Sequence, residues 1–405
     1  MKSVDQHLVD LLRLATPLRP FDMHLLDAHD ATLAQDIYAT VNLPPWDNSA
    51  MDGYGVQCGD LREASESTPA ELIVDGDIAA GAPHLIQVVK GHAVRIMTGA
   101  PIPPGCDAIV PVEWTDGGTE RVSITRAPVL GQHIRYQGSD IVSGTLILHE
   151  GVRLHAAQIG IAAAVGLDRL PTHPHPRVVV LSTGDELIEP GFPLAPGQIH
   201  ESNSWMLASA VREAGGLAFR VATVSDNRTR FMQVLEDQLV RADLVVTTGG
   251  VSKGAYDTVK EVLQQLGTVQ FETVAMQPGM PQGFGTIGPD NTPIVTLPGN
   301  PVSAYVSFEI FVRPMIRRML GLKEIYRPIV RAAIKGVASS PRGKRSFLRG
   351  VIEVVDGRYV VTPVDGQGSH MLGALARANA LIVIPEDVEQ IGVDESVAVM
   401  MLGED

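Results

Sequence analysis

Between Arg177 and about residue 320 the chain repeats one unit: a short aliphatic, β-branched run, a polar glycine-bearing turn, and a stretch of helix length. The pattern predicts strands over residues 177–181, 218–224, 243–248, 269–275 and 293–297, and helices over 203–214, 229–241 and 256–266, with another beginning near Pro301. Strands that alternate with helices pair in parallel and are covered on both faces, so this region reads as a three-layer α/β domain of about 150 residues. Ligands of such sheets bind outside the carboxyl ends of the strands. Here those ends carry Ser182-Thr-Gly-Asp-Glu186, Thr247-Thr-Gly-Gly250 and Leu297-Pro-Gly-Asn300.

The rest of the chain has a different texture. Helices are predicted over residues 4–14 and, more weakly, 22–39, before Asn42-Leu-Pro-Pro-Trp-Asp-Asn48 breaks regular structure. From 50 to 150, short candidate strands at 93–96, 108–111 and 122–125 alternate with Gly/Pro turns, the pattern of a mostly β domain. β-Branched stretches return at 329–334, 359–363 and 381–384, which implies a separate C-terminal β domain. A length of 405 residues accommodates two to four such units.

Charge and cysteine content narrow the function classes. A formal charge of -14, from 32 Lys+Arg against 46 Asp+Glu, disfavours a general nucleic-acid or anionic-membrane surface. Cys58 and Cys106 are the only cysteines and lie far apart, so neither a disulfide scaffold nor a thiolate-rich zinc site is indicated. The N-terminus lacks the basic start and apolar run of a secretory signal, and the expected location is the cytoplasm.

The turns suggest oxyanion and metal chemistry, each beside a plainer alternative. Asp185 and Glu186 offer hard oxygen ligands for magnesium, or simply an acidic helix start. Gly249 and Gly250 present backbone N–H groups to a phosphate, with Ser252 and Lys253 adjacent, or serve only as a strand-to-helix turn. In Leu297-Pro-Gly-Asn-Pro301, Gly299 gives access and Pro301 suits a first helical turn; efficient helix initiation explains it equally. Asp47 and Asp52 flank a proline-bounded segment, and Thr98 precedes another glycine turn. Arg342, Lys344, Arg345 and Arg349 form a basic group in an acidic chain, suited to an oxyanion or to a solvated face.

Taken in order, Pro45-Trp-Asp-Asn-Ser-Ala-Met-Asp-Gly-Tyr54, Arg95-Ile-Met-Thr-Gly-Ala-Pro101, Ser182-Thr-Gly-Asp-Glu-Leu187, Thr248-Gly-Gly-Val-Ser252 and Leu297-Pro-Gly-Asn-Pro-Val-Ser-Ala304 resemble the molybdopterin molybdenumtransferases, the family that includes the C-terminal domain of gephyrin. The resemblance covers almost the whole chain. It implies a multidomain α/β plus β protein: a discontinuous helical linker domain (1–45 and 146–176), an inserted β-rich domain (46–145), a three-layer α/β molybdopterin-binding domain with a parallel-rich sheet (177–325), and a β-barrel-like C-terminal domain (326–405). The implied activity inserts molybdenum from molybdate into adenylylated molybdopterin, with Mg2+, releasing AMP. The pocket is expected between the α/β domain of one subunit and the inserted region of its homodimer partner, with transient contact to other cofactor-biosynthesis proteins and none to nucleic acid or membrane.

Family roles carried onto matching positions place Asp52, Thr98, Glu186, Asp226 and Asp257 at the catalytic site, and Asp52, Asp140, Glu186, Asp226 and Asp257 at the metal. Gly249, Gly250, Ser252, Lys253, Pro298, Gly299, Asn300, Pro301, Arg345 and Ser369 are the implied substrate contacts. The chain departs from the pattern at Ser139, where a carboxylate is common, at Gln277 and Met280, where lysines are common, and at Lys253 and Ala255. A non-catalytic molybdopterin-binding protein or scaffold is the alternative that these departures keep open.

Overall fold

The structure, a computed structural model, describes residues 1–82, 84–224, 227–249 and 256–403, with only the backbone described for 256–260. In chain order the elements of the central layer are α1 (Val4–Leu14), β1 (Arg177–Ser182), α2 (Asn203–Glu213), β2 (Leu217–Arg220), α3 (Arg228–Leu239), β3 (Leu244–Thr248), α4 (Tyr256–Leu266), β4 (Gln270–Thr273), β5 (Pro281–Ile287), β6 (Thr292–Leu297) and α5 (Pro301–Ser307). The strands lie in the order β2-β1-β3-β6-β5-β4. The first four are parallel, and β5 runs antiparallel to both its neighbours.

Both faces of this sheet are covered, which is why its strands read as unbroken apolar runs. In β1, Val178 and Val180 join the core beneath α1, α2 and α5, whereas Val179 and Leu181 join a second core beneath α3 and α4. Each such side chain, fully buried, stabilises the fold by about 1.5–3 kcal/mol relative to exposure. The chain leaves β1 for β2 on one side and returns to β3 on the other. That reversal puts the topological switch point, the usual ligand crevice, between the ends of β1 and β3.

Two local readings are corrected. β5 was not expected, because Gly283 and Gly285 mimic a loop. A Cβ at Gly285 would lie 2.7 Å from the Cα of Val269, and one at Gly283 would lie 3.0 Å from the Phe271 ring. These glycines admit a neighbouring strand rather than breaking this one. The weak helix expected over 22–39 is instead the strands Phe21–His24, Thr32–Leu33 and Ile37–Tyr38. Phe21–His24 pairs antiparallel with Arg169–His173, a partner too distant in sequence for local periodicity to reveal. The first helix matches its expectation at both ends: Ser3 accepts the Gln6 N–H through its side chain, while Leu11 and Leu12 enter the sheet core.

The other regions are β-built. Gly53–Val56, Ala70–Ile78, His92–Ile96, Ala108–Pro111 and Arg121–Ile124 form a five-stranded sheet with its own core around Tyr54, Val56, Leu72 and Val110. Near the C-terminus, β7 (Ile329–Ile334), β8 (Arg345–Val355), β9 (Arg358–Pro363), β10 (Ala380–Ile384) and β11 (Ser396–Met401) pair in the cycle β8-β9-β7-β11-β10-β8. The five strands therefore close into a barrel, and the short strand Met276–Gln277 adds to Arg345–Ser346 from outside the cycle.

Candidate active site

The turns after β1, β3 and β6 meet in one cleft of ≈ 520 Å³. Their backbones touch directly. Thr183 donates its N–H to the Thr248 carbonyl at 3.1 Å. Gly249 has φ +91°, and a Cβ there would stand 2.5 Å from the Thr183 carbonyl oxygen, so no larger residue fits without moving the first turn. A Cβ at Gly299 would lie 3.5 Å from the Cα of Gly249, which brings the third turn against the second. Thr183 Oγ1 is buried in this wall and has no hydrogen-bond partner among the described residues.

The sequence-predicted residues divide cleanly. Glu186, Gly249, Pro298, Gly299, Asn300 and Pro301 line the cleft. Ser369 reaches its margin: its carbonyl accepts the Val302 N–H at 3.1 Å, and the next residue, His370, lines the cleft. One of the helix-start donors expected to meet an anion is thus used to dock the barrel loop. Gly250, Ser252, Lys253, Ala255 and Asp226 lie outside the described residues, as does the side chain of Asp257.

Arg345 is not at the cleft. It forms a two-pronged ion pair with Asp5, at 2.7 and 2.8 Å, and a third contact with Glu386 at 3.0 Å, so its charge is already neutralised. The arginine that sequence reading left undistinguished is Arg349. It is fully buried in β8, and its Nη2 donates to the carbonyls of Gly366 and Gly368. The Gln367 side chain accepts the Arg349 backbone N–H at 3.0 Å. These bonds shape the loop that carries Ser369 and His370, while Nε and Nη1 have no hydrogen-bond partner among the described residues. Burial pulls the guanidinium below the usual arginine pKa. The available signal was its setting, Ser346-Phe-Leu-Arg-Gly350, where a cation interrupts a run patterned for a buried strand.

Asp52 and Thr98 form a compact unit in the inserted sheet, outside the lining of this cleft. The Thr98 backbone N–H donates to Asp52 Oδ1 at 2.7 Å and its hydroxyl at 2.9 Å. Together these bonds, the backbone one first, hold the exposed carboxyl below the usual aspartate range. Asp140 is exposed and also outside the cleft lining. The acidic residues assigned to metal therefore do not assemble within the described part of one chain. Among the described residues His29, Asp30 and His155 do place ligand atoms within 4.8 Å of one another, but Asp30 already faces Arg153 at 3.5 Å. Thiolate chemistry has no support: burial, foremost, pushes the Cys58 and Cys106 thiols up to about 12 and about 11.

Comparison with known proteins accounts for the whole architecture. Residues 2–166 match the family described as MoeA N-terminal region (domain I and II), 179–318 the probable molybdopterin binding domain, and 334–402 the MoeA C-terminal region (domain IV). Molybdopterin molybdenumtransferase 2 of Mycobacterium tuberculosis is 46% identical over 397 residues, covering 96% of this chain and 97% of that protein. The chain belongs to the molybdopterin molybdenumtransferase family. Molybdopterin molybdenumtransferase 1 of the same organism is 36% identical over the full length of both chains. Two structures of the molybdopterin biosynthesis protein MoeA from Pyrococcus horikoshii superpose with TM-scores of 0.83 and 0.78, at 29% and 26% identity, each covering 99% of this chain. Apart from His370, the lining of the α/β cleft of this transferase family member falls within the segment matched to the molybdopterin binding domain.

Proposed function

We propose that the protein transfers molybdenum from molybdate to adenylylated molybdopterin and releases AMP. The observation that carries this reading is the convergence of three strand-end turns on one polar cleft, in a chain that matches curated transferases from end to end. Turn backbones and the polar groups at the start of α2 bind and orient the phosphate-bearing substrate. Arg349, a buried cation behind the Gln367–His370 loop whose Nε and Nη1 lack a partner among the described residues, compensates oxyanion charge from the barrel side. Neither role requires a covalent nucleophile.

Magnesium belongs to the same proposal. Glu186 is an exposed carboxylate on the cleft wall, and Asp52 retains Oδ2 beyond the bonds that Thr98 makes to Oδ1. These hard oxygen donors suit the ion, which when bound neutralises phosphate and molybdate charge. Because they stand in separate regions of one chain, the proposal joins Glu186 of one subunit to the insertion of a second copy in a homodimer. A cytoplasmic location is part of the same reading.

Reconstitution tests the function. Incubation with adenylylated molybdopterin, Mg2+ and molybdate is expected to yield AMP and molybdenum-loaded cofactor in step. Tight binding of the substrate with neither product above the metal-free control would favour a binding-only protein.

A further inference from the structure

The three turns are held in register by a short segment to which the sequence reading gave no role, Glu201-Ser-Asn203. Glu201 is buried, yet every contact of its carboxylate is made. Oε1 accepts the Ser182 hydroxyl at 2.7 Å and the Ser204 N–H at 2.8 Å, while Oε2 accepts the Ser204 hydroxyl at 2.6 Å. Ser182 ends β1 and opens the first turn; Ser204 lies in the first turn of α2. Glu201 therefore ties the first turn to the helix start. One residue into the helix, Asn203 Nδ2 donates to Thr248 Oγ1 at 3.1 Å and to the Gly299 carbonyl at 2.7 Å. Thr248 Oγ1 in turn donates to the Pro298 carbonyl at 3.0 Å. A single amide thus spans the second and third turns, and Asn203 itself lines the cleft.

From this geometry we propose that Asn203 is a positioning residue, a latch that sets the gap between the Gly249 and Gly299 turns, with Glu201 anchoring the latch to the turn that carries Glu186. The proposal rests on the molybdenum-transfer reading for its ligand but not for its mechanics. Its physical basis is that the turns contact one another through glycine backbones, which supply no side-chain packing to fix their spacing. An amide with two donors in one plane can satisfy acceptors on both turns at once, and no hydroxyl or carboxylate in its place can.

Amide hydrogen exchange and affinity measurements test the two halves separately. In Asn203→Ala, exchange of the Thr183 and Val302 amides, which bond the Thr248 and Ser369 carbonyls beside the two turns, should rise about tenfold, as expected for the loss of two hydrogen bonds, while the β1 interior stays protected. The dissociation constant for molybdopterin should weaken by a similar factor with thermal unfolding little changed. Thr248→Val removes the hydroxyl's bond to the Pro298 carbonyl but leaves the Asn203–Gly299 bond, so each single variant keeps one link between the turns and the double variant should bind worse than either. Asn203→Asp, nearly isosteric, sets a carboxylate against the Gly299 carbonyl and should mimic the alanine variant even if that protein folds poorly. Unchanged exchange in both Asn203 variants would overturn the latch. Raised exchange with unaltered molybdopterin affinity would overturn its role in binding. Should the wild type itself fail to bind molybdopterin, the transfer reading fails, and exchange alone still decides the latch.

Discussion

The α/β region and the inserted β-rich region assemble polar groups in opposite ways. In the first, turns from β1, β3 and β6 meet because parallel pairing puts their ends on one edge, and the cleft follows from topology. In the second, Asp52 and Thr98 make a finished local unit on the surface, outside the lining of that cleft. The contrast teaches that a pocket wall can be built by one sheet, whereas a surface carboxylate waits for another surface to give it a task.

The sharpest way to break this comparison is to disable each side and mix them. Glu186→Gln and Asp52→Asn should each lower turnover on the order of a hundredfold, the scale on which removal of one electrostatic contact to a transition state is felt. Unfolding temperatures should hold, because both side chains are exposed. If the site is shared across a two-fold dimer, co-expressed mixtures of the two variants should regain roughly a quarter of wild-type activity, since mixed dimers retain one intact site. Dimers that form by light scattering yet regain nothing would place both carboxylates in the same subunit's site.

Legibility in the sequence followed the same divide. Wherever a strand and its helix are adjacent in sequence, apolar runs and glycine turns located the elements to within a few residues, as for α4 and β6. Where pairing is distant, the reading failed: Phe21–His24 is a strand only because Arg169–His173 supplies its partner. Charge misled in a related way. Arg345 and Arg349 are equivalent as letters, and only the barrel's register turns the first towards Asp5 and buries the second. Asn203 gave no signal because its acceptors, Thr248 and the Gly299 carbonyl, come together only in the folded sheet.

A second test concerns how the sheet that builds the cleft is covered. His7 on α1 is fully buried, its ring edge-on to Phe284 and Phe311 at 5.1 and 4.8 Å and its Nδ1 3.2 Å from Glu272. Burial, opposed by the Glu272 carboxylate, lowers its pKa to about 4. The unfolded chain, with a histidine pKa near ~6.5, binds the proton first as pH falls. The stabilisation is therefore complete above about pH 6.5 and is lost on acidification through pH 4, by an amount on the order of 3 kcal/mol. Denaturant midpoints should fall over that window in the wild type and much less in His7→Phe. Parallel pH profiles for the two proteins would mean that α1 does not depend on a neutral imidazole.

The smallest expected effect separates two arginines of the barrel. Arg349→Met should raise the KM for molybdate roughly tenfold, because a desolvated guanidinium with free donors compensates an anion strongly. Its fold should survive, since replacing a buried charge that has no counter-charge by an apolar side chain of similar length is often neutral or stabilising. Arg345→Met removes only the pairs with Asp5 and Glu386. Asp5 is largely exposed, so the loss should stay below about 1 kcal/mol in stability, and KM should change by less than a factor of about two. The contrast must also persist in salt: screening weakens the Arg345 pairs but reaches the buried Arg349 far less. An Arg345 variant with the larger KM change would return the oxyanion contact to the rim of the barrel and leave Arg349 as a brace for the Gln367–His370 loop.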